Sequence, residues 1–147
     1  MLSWFKNSTL IYRTRGGAPY WMNILIAQDC YVYMDKDPNY IASFDTMEIK
    51  GKSLHIDHFA MISSLKGSGK AEAVLRGFAQ IVAQQNPDII QITFDLHRSA
   101  EGSNIERLAT ARSALLAKIG AHNVSQRMSE TGNICVSAVW EKAQWKK

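Results

Sequence analysis

The residues best suited to chemistry lie at a predicted strand–loop–helix junction within residues 54–85. Gly67 and Gly69 carry no side chain that would keep a phosphate away from the backbone. The first turn of a helix points several N–H groups at one place, and the helix dipole adds roughly half a positive charge there. Lys66 and Lys70 add charge of the same sign. The junction therefore predicts an anion site, which a diphosphate fits best.

Two common nucleotide-binding motifs do not match this junction. A Walker A loop requires Ser or Thr directly after its Gly-Lys pair and a further glycine upstream. Here Ala71 follows Gly69-Lys70, and Ser64 stands where the upstream glycine is required. A dinucleotide fingerprint also fails, because not all of its glycines can be placed. Neither an NTPase nor a dinucleotide-binding protein is predicted.

The strand that leads into the junction carries two polar side chains suited to proton transfer. His55 and Asp57 alternate along the strand and therefore share one of its faces, whereas His58 points to the other. An imidazole can accept a proton near neutral pH, and a neighbouring carboxylate can orient it or relay through water. A hydrogen-bonded structural histidine is the alternative interpretation, which the sequence leaves open.

Strand patterns fill the first half of the chain, and helical and strand patterns alternate in the second half. A strand, a helix and another strand in succession imply at least one parallel pair within a mixed sheet. The second predicted helix follows a capping box of Ser103 and Glu106 and ends at Gly120. Its predicted apolar stripe consists of Ile105, Leu108, Ala111, Leu115 and Ile119. The predicted strands are Trp21–Ile26, Cys30–Met34, Tyr40–Phe44 with Thr46–Ile49 as one interrupted strand, Leu54–Ile62, Ile89–Leu96, His122–Met128 and Ile134–Trp140, and the first helix is Lys70–Gln85.

The segment Lys66-Gly67-Ser68-Gly69-Lys70-Ala71 resembles the signature of the GNAT superfamily of acyl-CoA N-acyltransferases, with Lys in place of the usual Gln or Arg. The strand Phe59–Ile62 is similar to the central strand of that family, and Leu115–Ala121 to the end of its last helix. The resemblance covers about residues 54–140. It implies an α/β fold whose mixed, mostly antiparallel sheet has a central splayed parallel strand pair flanked by helices.

The resemblance also implies a domain plan and a cofactor, acetyl-CoA or another acyl-CoA. Residues 1–147 would form one domain, with a divergent N-terminal part, 1–53, and a cofactor-binding core that ends in the final hairpin. The strand edge would pair with the pantetheine, and an amide N–H of that edge would stabilise the oxyanion. The implied cofactor contacts are Phe59, Ala60, Met61 and Ile62 on the strand and Lys66, Gly67, Ser68, Gly69, Lys70 and Ala71 at the pyrophosphate.

The implied reaction is direct attack of an amine on the acyl carbon. His55 lies where some histone-acetylating relatives carry a glutamate base, so it is the expected base, with Asp57 beside it. Many relatives protonate the leaving thiolate with a tyrosine of the last helix, but the matching position here is Leu116. Ser63 is a candidate replacement, and Arg98 is a candidate contact to substrate or phosphate.

Composition bounds the remaining functions. The chain has 147 residues and a net charge of +4, which suits an anionic ligand and also weak nucleic-acid contact. It has no apolar run of membrane-spanning length and no signal peptide, so a cytoplasmic location without membrane contact is expected. Cys30 and Cys135 match no metal spacing and are expected to be buried free thiols, so no metal is predicted.

Three functions stay open at this point. The first is an acyltransferase that acts on an unidentified amine. The second is a GNAT-shaped module without catalysis that binds a partner or assembles a complex, which the loss of the tyrosine at Leu116 favours. The third is a nucleic-acid-directed modification protein on the same fold, which the basic charge favours weakly. A homodimer is also possible.

Overall fold

The computed structural model describes residues 10–14, 28–34, 37–61, 69–96, 105–128, 130, 132 and 134–146. The predicted strand Trp21–Ile26 and the capping residue Ser103 lie outside these residues. No described helix is long and apolar enough to cross a membrane. The described elements are β1 (Leu10–Arg13), β2 (Cys30–Met34), β3 (Tyr40–Lys50), β4 (Ser53–Met61), α1 (Lys70–Gln85), β5 (Gln91–Leu96), α2 (Ile105–Lys118), β6 (His122–Met128), β7 (Ile134–Glu141) and a short 3-10 helix (Lys142–Gln144).

The strands form one sheet in the order β1-β2-β3-β4-β5-β7-β6. Every neighbouring pair is antiparallel except β4 and β5, which are joined through α1 and run parallel. Their pairing begins at Ser53–Gln91 and ends at Ile56–Phe94, although β4 continues to Met61 and β5 to Leu96. The two strands therefore separate at their carboxyl ends, as the predicted splayed pair requires.

In the central strands β3 and β4, the alternation of buried and exposed side chains shifts by one residue at the same place. Thr46 has a φ of 53°, a left-handed conformation that is strained for a β-branched residue. On one side of it Met47 pairs with Ile56, and on the other Phe44 pairs with Phe59, yet all four of these side chains are buried. Because of this shift in the alternation, β3 and β4 share a continuous apolar face. The other face of β4 keeps its polar side chains.

The helix α1 covers that apolar face and has the predicted bounds. Phe78 stacks on Phe44 with ring centroids 4.3 Å apart. The Tyr12 hydroxyl of β1 donates to the Val74 carbonyl at 2.8 Å, and a Cβ at Gly77 would clash with that hydroxyl. The absence of a side chain at Gly77 thus lets the edge strand pack directly against α1.

The helix α2 buries part of the predicted stripe and two residues beside it. Ile119 of that stripe is in the core and Leu115 is partly buried, whereas Ala111 is exposed. Ala109 and Leu116, which lie beside the stripe, are also in the core, because α2 packs on the β6–β7 edge. Gly120 ends this helix segment with a φ of 92°, which confirms the predicted left-handed cap.

The strand β5 begins at Gln91, two residues later than the predicted strand Ile89–Leu96. Before this start, Ile89 is 3% exposed and Ile90 is 51% exposed. Cys30 and Cys135 are buried free thiols, as predicted. Burial, together with the negative charge of Asp29, raises the pKa of the Cys30 thiol well above its usual value.

Candidate active site

The candidate site lies on the polar face of β4 and β5, where the parallel strands begin to separate. Leu54 and Ile56 of β4 are buried beneath the sheet, so the alternating His55 and Asp57 stand on the opposite face. The register brings Thr93 of β5 beside His55. Four partly buried polar side chains are thereby grouped on two strands, namely His55, Asp57, Thr93 and Asp95.

Both ring nitrogens of His55 have partners. Nε2 lies 2.8 Å from Oδ1 of Asp57, and Nδ1 lies 2.7 Å from Oγ1 of Thr93. The side chains of His55 and Asp57 are 22% and 31% exposed, so the pair is partly shielded but reachable from solvent. The predicted pairing of His55 with Asp57 is therefore present, and Thr93 is an additional partner.

Asp95 is tied into the sheet by neighbouring strands. Arg127 of β6 donates to both of its carboxylate oxygens, at 3.0 and 2.9 Å, and Ser137 of β7 donates at 3.1 Å. One ligand-type atom each of His55, Asp57 and Asp95 lies within 4.8 Å of the others, a spacing that would also suit a cation. Because Arg127 already supplies the positive charge at Asp95, that carboxylate is balanced without a cation.

A cavity of about 480 Å³ opens beside His55 and Asp57. Its described lining carries three carboxylates and one lysine, which makes it acidic in a chain that is basic as a whole. Glu48 of β3 lies directly opposite His55 in the register and forms no ion pair among the described residues. The described lining residues are Gln28, Thr46, Met47, Glu48, Lys50, His55, Asp57 and Asp95.

The start of α1 lies beyond the end of β4. Gly69 precedes the helix with a φ of 83°, makes no side-chain cap, and has open space where a Cβ would stand. Glu72 in the first turn would repel an anion there, but Arg76 holds it at 3.0 Å and Lys118 at 3.5 Å. The hydrogen bond from Arg76 lowers the pKa of the Glu72 carboxyl. The negative charge of Glu72 is therefore compensated within the protein.

The remaining predicted site residues fall into three groups. Phe59 is buried against Phe44, with ring centroids 4.8 Å apart, so only its backbone could meet a ligand, while Ala60 and Met61 are partly buried at the end of β4. Leu116 is buried in the core of α2. The predicted residues that lie outside the described part of the chain are Ile62, Ser63, Lys66, Gly67, Ser68 and Arg98.

Sequence reasoning missed Glu48, Thr93 and Asp95. Thr93 and Asp95 alternate with buried apolar neighbours on β5, a pattern that places them on the same kind of face as His55. Glu48 has no such pattern, because only Met47 beside it is buried and Ile49 is exposed. The pattern alone did not show that these three strands lie side by side in matching register.

No protein-family model and no curated protein matches the chain. Solved structures do match. A chimeric spermidine N-acetyltransferase from Vibrio cholerae has a TM-score of 0.61 at 11% identity, over 95% of this chain and 99% of that one. A GNAT-family acetyltransferase from Bacillus anthracis has a TM-score of 0.56 at 9% identity, over 82% and 69% of the two chains.

A third match is an IAA acetyltransferase from Bacillus cereus, with a TM-score of 0.54 at 13% identity over 90% of this chain and 99% of that one. Identities this low establish a shared fold and carry neither activity nor substrate across. The chain therefore has the fold of the GNAT acetyltransferases, as the sequence predicted.

Proposed function

We propose that this chain is an acyl-CoA N-acyltransferase that moves an acetyl or other acyl group to an amine. The observation that carries the proposal is the separation of β4 and β5 beyond Ile56 and Phe94, with the His55–Asp57 pair directly beside it. A splayed parallel pair leaves backbone groups of β4 available to a ligand, and the adjacent pair supplies proton transfer.

The residues at the end of β4 and the start of α1 fit an acyl-CoA. The amides of Gly69, Lys70 and Ala71, together with Lys66, Gly67 and Ser68, would hold the pyrophosphate, because helix starts bind phosphates. The open space at Gly69 and the compensated charge of Glu72 support this assignment. The backbone of residues 59–62 would pair with the pantetheine. The acyl-CoA supplies the thioester that activates the acyl group.

The chemistry consists of one bond formed and one broken. The amine must lose a proton before its nitrogen can attack the acyl carbon. The new C–N bond forms as the C–S bond breaks, and the electron pair of that bond leaves with sulfur. A backbone N–H near Met61 would donate to the oxygen on which negative charge develops. A second proton leaves the nitrogen and ends on the thiolate.

The acidic cavity supports a cationic acceptor. An amine arrives in water as an ammonium ion, and Glu48 and Asp57 attract it to the face that carries His55, whereas Asp95 is already balanced by Arg127. Leu116 is buried, and its side chain has no acidic proton to give to the thiolate. We propose that Ser63 or water protonates the thiolate instead. Arg98 is proposed as a further contact to substrate or phosphate.

The experiment that tests the cofactor site is acetyl-CoA binding by calorimetry with the variant Gly69→Glu. The new carboxylate would extend into the open space at the phosphate position and repel the pyrophosphate, so we expect binding to fall by at least about tenfold. The matched control is Gly51→Glu, since Gly51 also has a positive φ of 62° and open space, at the opposite end of β4.

The control separates site loss from backbone strain, because both variants place Glu at a left-handed glycine. Equal affinity of Gly69→Glu and wild type, with both folded, contradicts the cofactor assignment.

The buried Leu116 favours one further candidate, a GNAT-shaped module that binds a partner without catalysis. Acetyl-CoA binding without turnover of any amine would identify that second function.

A further inference from the structure

The hydrogen-bond partners of His55 indicate a different proton acceptor from the one expected, which was His55 itself. We propose that Asp57 is the catalytic residue that takes the proton from the acceptor amine, and that His55 and Thr93 are positioning residues that hold its carboxylate. This inference rests on the proposed acyl transfer for its chemistry, but the state of the His55 ring can be tested without it.

The first step concerns the ring hydrogen of His55. An ionised carboxylate only accepts hydrogen bonds, so the 2.8 Å contact to Asp57 requires the hydrogen to be on Nε2. In a neutral ring the other nitrogen then bears the lone pair. The Thr93 hydroxyl, 2.7 Å from Nδ1, donates to that lone pair. The neutral ring therefore has no acceptor position left for a substrate.

The second step concerns Asp57. Oδ1 accepts from His55, and no described residue hydrogen-bonds to Oδ2. The Asp57 side chain is 31% exposed and lines the cavity. Asp57 directly follows the last parallel pair, Ile56 with Phe94, so it stands where the strands begin to separate. Asp57 is thus the member of the pair that can meet an amine beside the open strand edge.

The third step is the proton balance. The ammonium gives one proton to Oδ2 of Asp57 and becomes a neutral amine, which then forms the C–N bond as sulfur leaves. The Nε2–H of His55 keeps donating to Oδ1 throughout, so the carboxylate stays in place. Asp57 passes its proton to solvent through its exposed side. The charged groups around the pair are Glu48 and Lys50 on β3, Asp95 on β5 and Arg127 on β6.

Thr93 supports the tautomer that Asp57 sets, since its hydroxyl occupies the lone pair of His55 Nδ1. Thr93→Val keeps the shape and removes the hydroxyl, whereas Thr93→Ser keeps the hydroxyl. These two variants form a matched pair, because only the first deprives Nδ1 of its donor.

The first test reads the ring directly by NMR of isotope-labelled protein, at a pH where imidazoles are neutral and with no ligand added. The His55 signal is assigned by its loss in His55→Gln. We expect the Nε2–H tautomer in the wild type and in both Thr93 variants, because the Asp57 carboxylate requires that hydrogen, and a shift of the Nδ1 resonance in Thr93→Val alone, because only that variant lacks the donor to Nδ1. A wild-type ring with hydrogen on Nδ1 overturns the proposal, whether or not the Thr93 variants fold.

The second test compares acyl transfer to an amine by the variants Asp57→Asn and His55→Gln. Asp57→Asn removes the proton acceptor, so kcat/KM should fall by roughly 10²- to 10⁴-fold. His55→Gln can still donate an N–H to Asp57, so its loss should be about tenfold or less and its pH–rate profile should keep the wild-type shape. The reverse ranking, with an altered profile in His55→Gln, makes His55 the direct base.

The two proposals fail in distinguishable ways. If the wild type transfers no acyl group to any amine, the proposed function fails and the tautomer result stands by itself. If the wild type is active but Asp57→Asn retains full activity, the acyl transfer stands and the role of Asp57 is wrong. Thr93→Ser should retain near wild-type turnover, and Thr93→Val should lose roughly tenfold.

Discussion

His55 and His58 occupy the same strand, and their surroundings give them different roles. His55 stands on the cavity face between Asp57 and Thr93, whereas His58 is buried, with its Nδ1 3.0 Å from Asp45. A histidine that is buried beside a carboxylate contributes mainly to packing, while one that is partly exposed can contribute to proton transfer. Residue type alone could not separate the two.

At the residue scale, Tyr12 offers a test of the packing of α1. Its hydroxyl is buried and donates to the Val74 carbonyl, so Tyr12→Phe loses one buried hydrogen bond. We expect the free energy of unfolding to fall by about 1 kcal/mol, measured by urea denaturation. Tyr40→Phe is the control, because Tyr40 is exposed and its change should stay within about 0.5 kcal/mol. Equal losses in both variants contradict the prediction.

The same tyrosine predicts a pH dependence. Burial raises the pKa of Tyr12 well above its usual value, with a smaller contribution from Cys30. The contribution of neutral Tyr12 to the free energy of unfolding is therefore fully present below pH ~10, the pKa of a tyrosine in the unfolded chain. It is lost as the pH rises beyond that value toward the pKa in the folded protein. Tyr12→Phe should show a shallower loss of stability above pH ~10 than wild type, by denaturation at a series of pH values. If stability falls with pH as steeply in Tyr12→Phe as in the wild type, the assignment to Tyr12 is contradicted. The smaller loss that remains in Tyr12→Phe is assigned to Cys30.

At the scale of elements, one side chain joins both helices to the end of the chain. Arg76 of α1 donates to the carbonyls of Gln144 at 2.8 Å, Trp145 at 3.2 Å and Ile119 at 3.4 Å, besides its bond to Glu72. Trp140 also donates to Ile119, at 2.9 Å. The carbonyl of Ile119, just past α2, is thereby satisfied by two side chains, whereas the carbonyls of Leu115, Leu116 and Ala117 accept from backbone N–H groups.

Loss of Arg76 should therefore cost more than loss of an exposed cation. Arg76→Ala removes the donor of the Gln144 and Trp145 carbonyls and one of two donors of the Ile119 carbonyl, and we expect the free energy of unfolding to fall by about 2–3 kcal/mol, measured by urea denaturation. Lys118→Ala is the matched control, since Lys118 pairs with the same Glu72 but is 66% exposed. Its change should be below about 1 kcal/mol. A similar loss in both variants would show that the shared ion pair matters and the carbonyl contacts do not.

At the scale of the whole molecule, charge is distributed unevenly. The chain has a net charge of +4, but its cavity is lined by three carboxylates and one lysine. A basic surface attracts an anionic cofactor, and an acidic cavity attracts a cationic amine. One fold can therefore draw two oppositely charged substrates to two neighbouring places.

This uneven distribution predicts a binding role for Glu48. Glu48→Gln removes an exposed carboxylate opposite His55, so the KM for a cationic amine should rise roughly 3- to 10-fold at low ionic strength. The increase should shrink in high salt, which screens an exposed charge. Glu106→Gln makes the same change in net charge on α2, away from the cavity lining, and should leave KM unaltered. Equal effects of both variants, in steady-state kinetics, would assign the change to net charge alone.

Apart from β1 and the short 3-10 helix, the sequence by itself determined the order of the described elements and the fold class. Periodicity is local, so the bounds of α1, the strands β2, β6 and β7, and the glycine at the end of α2 could all be predicted. His55 and Asp57 were also found together, because residues that alternate on one strand share a face without help from any other element. The stripe of α2 was predicted only in part, because periodicity gives a helix its spacing but does not decide which neighbour the helix packs against.

Only the tertiary structure decided how separate strands combine into a site. Thr93 meets His55, Glu48 faces it and Arg127 reaches Asp95 because of pairing registers among strands that are distant in the chain. Register depends on the summed packing of whole strands, and a slip of one residue would turn each of these side chains to the other face. No local pattern carries that information, so the partners that assign roles to His55 and Asp57 emerged only with the folded sheet.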